Sequence, residues 1–114
     1  MMNITIYEVF ELNRILHSLL EQQTSYKIQI AFKIHSLIKW LDETETFLFE
    51  RMKMLFKDDE TNIDNPLYVA FLNSQIPFTK TDLKIDELLN TDGNVKLAVN
   101  DVGVLNKMLW KTED

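Results

Sequence analysis

The stretch that decides the fold is SYKIQIAFKIHSLIKWLDETETFLFERMKMLFK, which covers residues 25–57. Its apolar side chains recur at intervals of three and four residues, which places them along one side of an α-helix. Neither Gly nor Pro interrupts the stretch, so it predicts one long helix. The alternative is a kink between Asp42 and Thr46, where polar residues thin out the apolar pattern.

A shorter apolar stripe precedes this helix. Thr5 and Glu8 have the spacing of a capping box, in which each side chain bonds the backbone N–H of the other residue. The apolar repeat that follows predicts a helix running to about Gln22. Because the polar break at residues 23–25 is short, the two helices must be antiparallel neighbours. Residues 1–57 therefore predict an antiparallel helical hairpin with a long second helix.

The remainder of the chain carries weaker patterns. Residues 58–64 are predicted to form an acidic linker, and residues 65–114 a small α+β region of the same domain. Asn65 and Pro66 combine an N-cap residue with a proline suited to the first helical position. A short helix is therefore favoured over a strand for the residues that follow.

A short β-hairpin is predicted around Asp92-Gly93, a pair typical of tight turns that need a positive φ. Apolar residues alternate with polar ones on both sides of this pair, at Leu83, Ile85, Val95, Leu97 and Val99. The strand register stays open, and a single helical turn at residues 86–90 is the alternative. A closing helix follows, with Asn100 or Asp101 as its cap.

The composition fits one mainly helical domain over residues 1–114, because 46% of the residues are apolar and only two Gly and two Pro occur. The absence of Cys excludes disulfides, thiolate metal sites and cysteine nucleophiles. A net charge of −6 opposes contact with phosphate backbones, so no direct nucleic-acid partner is expected. The start MMNITIYEVF and the short apolar run at residues 67–72 predict neither a signal peptide nor a membrane span.

The segment NTDGNVKLAVND, residues 90–101, has the side chains of a calcium loop but not their spacing. An EF-hand places glycine sixth and oxygen ligands first and twelfth. With Gly93 sixth, the first and twelfth positions fall on Leu88 and Val99, which cannot bind Ca²⁺. This segment is therefore predicted to be a turn that runs into a helix, without a metal.

The two histidines are not expected to share a metal ion. His17 and His35 lie on different helices of the predicted hairpin. A break near residue 23 would set His35 beside Glu11 rather than beside His17. No metal site and no cofactor site are therefore predicted.

No catalytic residue is predicted. Carboxylates are so plentiful, in residues 42–45 and 58–60, that an acid/base pair chosen among them carries no information. The sequence contains no nucleophile elbow, phosphate loop, dinucleotide fingerprint or helical HExxH motif. We therefore expect a protein that is not an enzyme.

The length of the second helix predicts an interaction surface. Residues 25–57 would span about 50 Å, and the first helix would cover about half of that length. Either the C-terminal third folds back onto the uncovered part or another subunit covers it, because large exposed apolar patches are unusual on a monomer. We expect a homo-oligomer, or a contact with another protein, formed by Phe47, Phe49, Met52, Leu55 and Phe56.

A second hypothesis concerns the basic residues of the hairpin. With Tyr26 and Trp40 nearby, they could contact an anionic small molecule such as a signalling nucleotide. The spacing of the three lysines rotates each by about 240° from the last, which favours solvated charges instead. The residues concerned are Arg14, Lys27, Lys33 and Lys39.

The order of these patterns carries a family resemblance. The segments ITIYEVFELNRILHSLL, YKIQIAFKIHSLIKWLDETETFLFERMKML, LKIDELL and VKLAVNDVGVLNKML resemble small proteins of unknown function encoded by tailed bacteriophages. The shared features are a T-x-x-E-x-x-x-L-N start, a long helix with a Phe-x-x-x-Arg segment near its end, here Phe47 to Arg51, an acidic turn and an Asp-led closing helix. The resemblance covers nearly the whole chain.

This resemblance implies an architecture and a source, and no activity or site residues. It implies a bacteriophage protein found in the host cytoplasm or in the virion. We therefore expect a non-enzymatic protein that works through protein–protein contacts in the virion, its assembly or an accessory role. The alternative is an inhibitor of a host or defence protein, or a protein that sequesters an anionic signalling nucleotide.

Overall fold

Two antiparallel helices dominate the structure, a computed structural model that describes residues 2–22, 26–79, 82–89 and 98–109. Helix α1 is Ile6–Gln22 and helix α2 is Ile28–Leu55. The predicted helical hairpin with a longer second helix is thus confirmed. Helix α2 is continuous through its acidic middle, and its 28 residues span about 42 Å.

The start of α1 confirms the predicted capping box. The backbone N–H of Thr5 donates to Glu8 Oε1 at 2.9 Å, and the N–H of Glu8 donates to Thr5 Oγ1 at 3.1 Å. Two of the N–H groups that a helix start leaves unpaired are therefore satisfied. The box fixes the start of α1 where the preceding strand ends.

The strand pair of this protein lies where the sequence did not indicate it. Strand β1, Met2–Thr5, pairs antiparallel with strand β2, Gln75–Phe78, so that Met2 lies opposite Phe78. The inner positions of the two strands are apolar, and Ile4 and Phe78 are buried in the core. Short alternating segments of this kind pair only when the fold brings them together, so the sequence alone did not reveal them.

The predicted strands around Asp92-Gly93 are wrong at their described ends. Three helices follow α2, namely α3, Pro66–Leu72, α4, Ile85–Leu89, and α5, Val99–Met108. Ile85 and Val99 therefore begin helices and do not lie in strands. The helical alternative for this region is confirmed, because residues Ile85–Leu89 form α4. The side chain of Glu87 accepts the N–H of Lys84 at 3.0 Å and caps this helix. The turn itself and Val95 and Leu97 lie outside the described residues.

Of the two helix caps predicted for the C-terminal region, the structure confirms one and contradicts the other. A 3₁₀ turn, Asp58–Glu60, lies in the acidic linker, and Asn65 Oδ1 accepts the N–H of Leu67 at 3.1 Å to cap α3. This confirms the predicted short helix over a strand. The N-cap of α5 is Ala98, so Asn100 and Asp101 do not cap it, because the helix begins before them.

One hydrophobic core joins the hairpin, the strand pair and the C-terminal helices. Its buried residues are Ile4, Ile6, Val9, Leu12, Ile15, Leu16, Leu19, Ile34, Leu37, Leu41, Leu48, Phe78, Leu83, Leu88, Leu105, Met108 and Leu109. The α1 members recur at helical spacing, so α1 buries one continuous stripe. Helices α2 and α5 both pack against α1.

Candidate interaction surface

The register of the hairpin decides how much of α2 is left uncovered. Asn13 lies opposite Asp42 and Glu45, to which its Nδ2 donates at 3.1 and 2.8 Å. Further along, the ring of Phe10 stacks on Phe49 with centroids 4.9 Å apart. Helix α1 therefore reaches well past the midpoint of α2, as far as Phe49, so the C-terminal part of α2 is less exposed than expected. This register differs from the expected one, which set His35 beside Glu11.

The C-terminal end of α2 is covered by α3. The ring of Phe56 makes edge contacts with Tyr68 and Phe71, each with centroids 5.8 Å apart. Part of the C-terminal region therefore folds back onto the long helix, which was one of the two arrangements expected. Phe56 and the half-buried Met52 consequently belong to the packing of the subunit more than to its surface.

A different set of side chains faces away from α1 and α3. Phe47 is 62% exposed, Met54 78% and Leu55 56%, and the spacings of seven and eight residues place all three on one side of α2. Glu50 and Arg51 lie between them and are also exposed. We call these five residues the outer face of α2. Phe49 lies beside this face, with its ring stacked on Phe10 and 40% of its surface exposed.

The exposed apolar surface continues past the end of α2. Ile63, in the turn after the 3₁₀ segment, is 83% exposed, and Leu67 of α3 is 72% exposed. Leu67 precedes Tyr68, which packs on Phe56 at the end of α2. This end of the molecule therefore presents more apolar surface than the outer face alone.

The four basic residues of the second hypothesis are not brought together. Arg14 donates to Glu11 and Asp101, each at 2.7 Å, on the side of α1 that packs against α5. These hydrogen bonds, to Glu11 and then to Asp101, raise the pKa of Arg14. Lys33 lies 3.4 Å from Glu87 of α4. With these two cations held by carboxylates of the chain, the geometry offers an anion no common site.

Lys27 and Lys39 are the other two residues of that set. Both are exposed, and neither forms an ion pair within the described part of the chain. Lys27 precedes α2 as its N-cap residue, whereas Lys39 lies near the middle of the helix. Single solvated charges of this kind do not create an anion site.

The two histidines lie closer than the sequence indicated. His17 and His35 line one cavity of about 310 Å³ between α1 and α2, so the expectation that His35 lies beside Glu11 is wrong. The same shift in register is the cause. Most of the remaining lining is apolar, and the hydroxyl of Tyr26 donates to the carbonyl oxygen of Leu88 at 2.7 Å. Burial raises the pKa of Tyr26, which keeps this donor protonated.

His17 has a carboxylate partner on the rim of this cavity. Its Nε2 lies 3.2 Å from Asp42 Oδ1, and both side chains are about half exposed, at 52% each. Within the described ranges, no group of three or more His, Asp or Glu side chains is placed to hold a metal ion. The cavity is therefore an apolar pocket with two imidazoles at its edge.

Comparisons with protein-family models, with curated proteins and with solved structures give no match to this chain. Among the described helices, none combines the length and the apolar character that crossing a membrane requires. The geometry of the chain itself is therefore what the functional proposal rests on.

Two residues, the exposed Met54 and the buried Asn13, were not identified from the sequence. Met54 is not among the contact residues expected from the sequence, although it is the most exposed apolar side chain of the outer face. Its spacing of seven from Phe47 is the signal that could have identified it. The buried Asn13 was also missed, because one polar residue within an apolar stripe does not reveal which carboxylates will face it.

Proposed function

We propose that this protein is a non-enzymatic bacteriophage protein that acts through protein–protein contacts and self-associates through the outer face of α2. The observation that supports this most directly is the exposure of Phe47, Met54 and Leu55 on one side of a continuous helix. Leu41 and Leu48 of the same helix face the core, on the side that neighbours these exposed residues. A second molecule is the simplest cover for the exposed side.

The chemistry of the outer face suits a protein partner. Aromatic residues, Met and Arg are enriched where proteins meet, because they bury much area and adapt to a partner's shape. The outer face carries one of each in Phe47, Met54 and Arg51. Burial of such side chains removes apolar surface from water, which is the main favourable term in association.

The bacteriophage setting is supported by the resemblance of the residue pattern. That pattern includes the capping box at Thr5 and Glu8 and the segment from Phe47 to Arg51, which carries part of the outer face. A self-associating helical protein fits a role in the virion or in its assembly. Another phage protein or a host protein is the partner to seek if the chain does not bind itself.

Light scattering during gel filtration tests the proposal over a range of micromolar concentrations. We expect the wild-type chain to form a species larger than a monomer that dissociates on dilution, and Phe47→Glu to stay monomeric. Phe32→Glu is the matched control, because Phe32 lies on the same helix and is 66% exposed against 62% for Phe47. A wild-type chain that is monomeric throughout, or equal behaviour of the two variants, would contradict self-association through this face.

A further inference from the structure

The charges of α2 divide into two blocks that meet at the centre of the outer face. Residues 42–50 contain four carboxylates and no Lys or Arg, whereas residues 51–57 contain one Arg, two Lys and no carboxylate. The boundary falls between Glu50 and Arg51, both exposed and without an ion pair inside the described residues. Asp42 and Glu45 of the acidic block face Asn13 of α1, so the opposite charges that meet on the outer face are those of Glu50 and Arg51.

The apolar residues of the outer face are arranged about the same boundary. Phe47 lies three residues before Glu50, and Met54 lies three residues after Arg51. Reversing the direction of the helix about this point exchanges Phe47 with Met54 and Glu50 with Arg51. A surface with this property complements a reversed copy of itself, as a two-fold symmetric interface requires.

We propose that two copies of this chain pair antiparallel through α2 about a two-fold axis between Glu50 and Arg51, with Phe47 of each copy against Met54 of the other. This inference rests on the proposed function and specifies its partner and geometry. Contact between a Met sulfur and an aromatic ring is favourable, and each Glu50 meets the Arg51 of the second copy near the axis.

The charge blocks favour this direction over a parallel one. Antiparallel pairing places Glu50 of each copy beside Arg51 of the other. Parallel pairing lays acidic beside acidic and basic beside basic, which opposes association.

Charge exchange tests the pairing. Glu50→Arg and Arg51→Glu should each raise the dissociation constant of the dimer about tenfold, since two attractive contacts become repulsive in the symmetric complex. The double variant Glu50→Arg with Arg51→Glu should restore the wild-type value. A mixture of the two single variants should form a mixed dimer, and 1 M salt should reduce these differences by screening.

Spin labels on single cysteines test the direction, because the chain contains no Cys and each introduced thiol is the only labelling site. In the antiparallel dimer, labels at Lys39→Cys lie about 35 Å apart along the helix, and labels at Lys53→Cys about 8 Å apart. A parallel dimer would give short distances at both positions. The antiparallel pairing would be overturned, and self-association kept, if the wild type dimerised but the charge variants bound equally well, or if the labels at residue 39 lay close together. A monomeric wild type would overturn both the antiparallel pairing and self-association.

Discussion

Asn13 of α1 donates a hydrogen bond of 2.8 Å to the carboxylate of Glu45 on α2. Its second amide hydrogen goes to Asp42 at 3.1 Å, and its Oδ1 has no hydrogen-bond partner. Among the described residues, Asn13 is the one polar side chain buried with the core. Apolar packing tolerates small shifts between helices, whereas an amide between two carboxylates accepts one register, so Asn13 fixes the alignment of the hairpin.

Asn13→Asp should destabilise the fold strongly at neutral pH. The substitution replaces a donor with a third carboxylate beside Asp42 and Glu45, and its burial raises the pKa of the new group. We expect a loss of about 3–5 kcal/mol at pH 7, the cost of an unpaired buried charge. Urea unfolding measures it, and Asn13→Leu, which adds no charge, is the control.

The pH dependence of this variant gives a second check. The new carboxyl has a folded pKa above its unfolded value, so its cost is greatest at neutral pH and is relieved as the pH falls through the folded pKa. The gap in stability between Asn13→Asp and Asn13→Leu should therefore narrow from pH 7 to pH 4. A gap that stays constant would show that charge repulsion is not the cause.

Glu8 should contribute stability that is lost in acid. Partial burial alone would raise the pKa of Glu8, but hydrogen bonds from Lys107 and from the Thr5 backbone outweigh it and hold the pKa below its ordinary value of 4.5. Because the folded pKa is lowered, this contribution is complete above the unfolded pKa and disappears as the pH falls through the folded pKa. The free energies of unfolding of wild type and Glu8→Gln should differ most at pH 7 and converge as the pH falls through the lowered pKa of Glu8. A difference that does not change with pH would refute the assignment.

Phe56→Ala should release α3 from the end of α2. The substitution removes the edge contacts with Tyr68 and Phe71, at 5.8 Å each, and aromatic pairs are worth about 0.5–1.5 kcal/mol each beyond their buried area. Hydrogen exchange of the α3 amides should accelerate while that of α1 stays unchanged. Leu67→Ala is the control, because Leu67 lies in α3 and its side chain is 72% exposed. Equal acceleration in both variants would argue against docking through Phe56.

Leu41→Ala should lower the free energy of unfolding by about 2–5 kcal/mol, because a fully buried leucine leaves a cavity when truncated. Leu41 is 0% exposed at the middle of α2. Phe32→Ala, at an exposed position of the same helix, should change stability by less than about 1 kcal/mol. Denaturant titration compares the two variants, and similar losses would mean that α2 buries a different side from the one described.

The elements governed by local rules were predictable from the sequence. The capping box needs only the side chains of Thr5 and Glu8, three residues apart, and the cap of α3 needs only Asn65 before Pro66. The long apolar repeat of α2 and the short connection to α1 were enough to predict the hairpin. The hairpin was harder to align than to predict, because apolar stripes slide past each other at little cost until a polar contact such as Asn13 selects one register.

The sequence by itself determined that a long amphipathic helix would form and that its apolar side would have to pack against something. The reason is that the spacing of the apolar residues along the chain sets the helical pattern. The tertiary structure decided what provides that cover. It paired residues 2–5 with residues 75–78, folded α3 onto Phe56 and left Phe47, Met54 and Leu55 exposed. These outcomes depend on contacts between segments far apart in the chain. No local sequence pattern specifies the energies of those contacts.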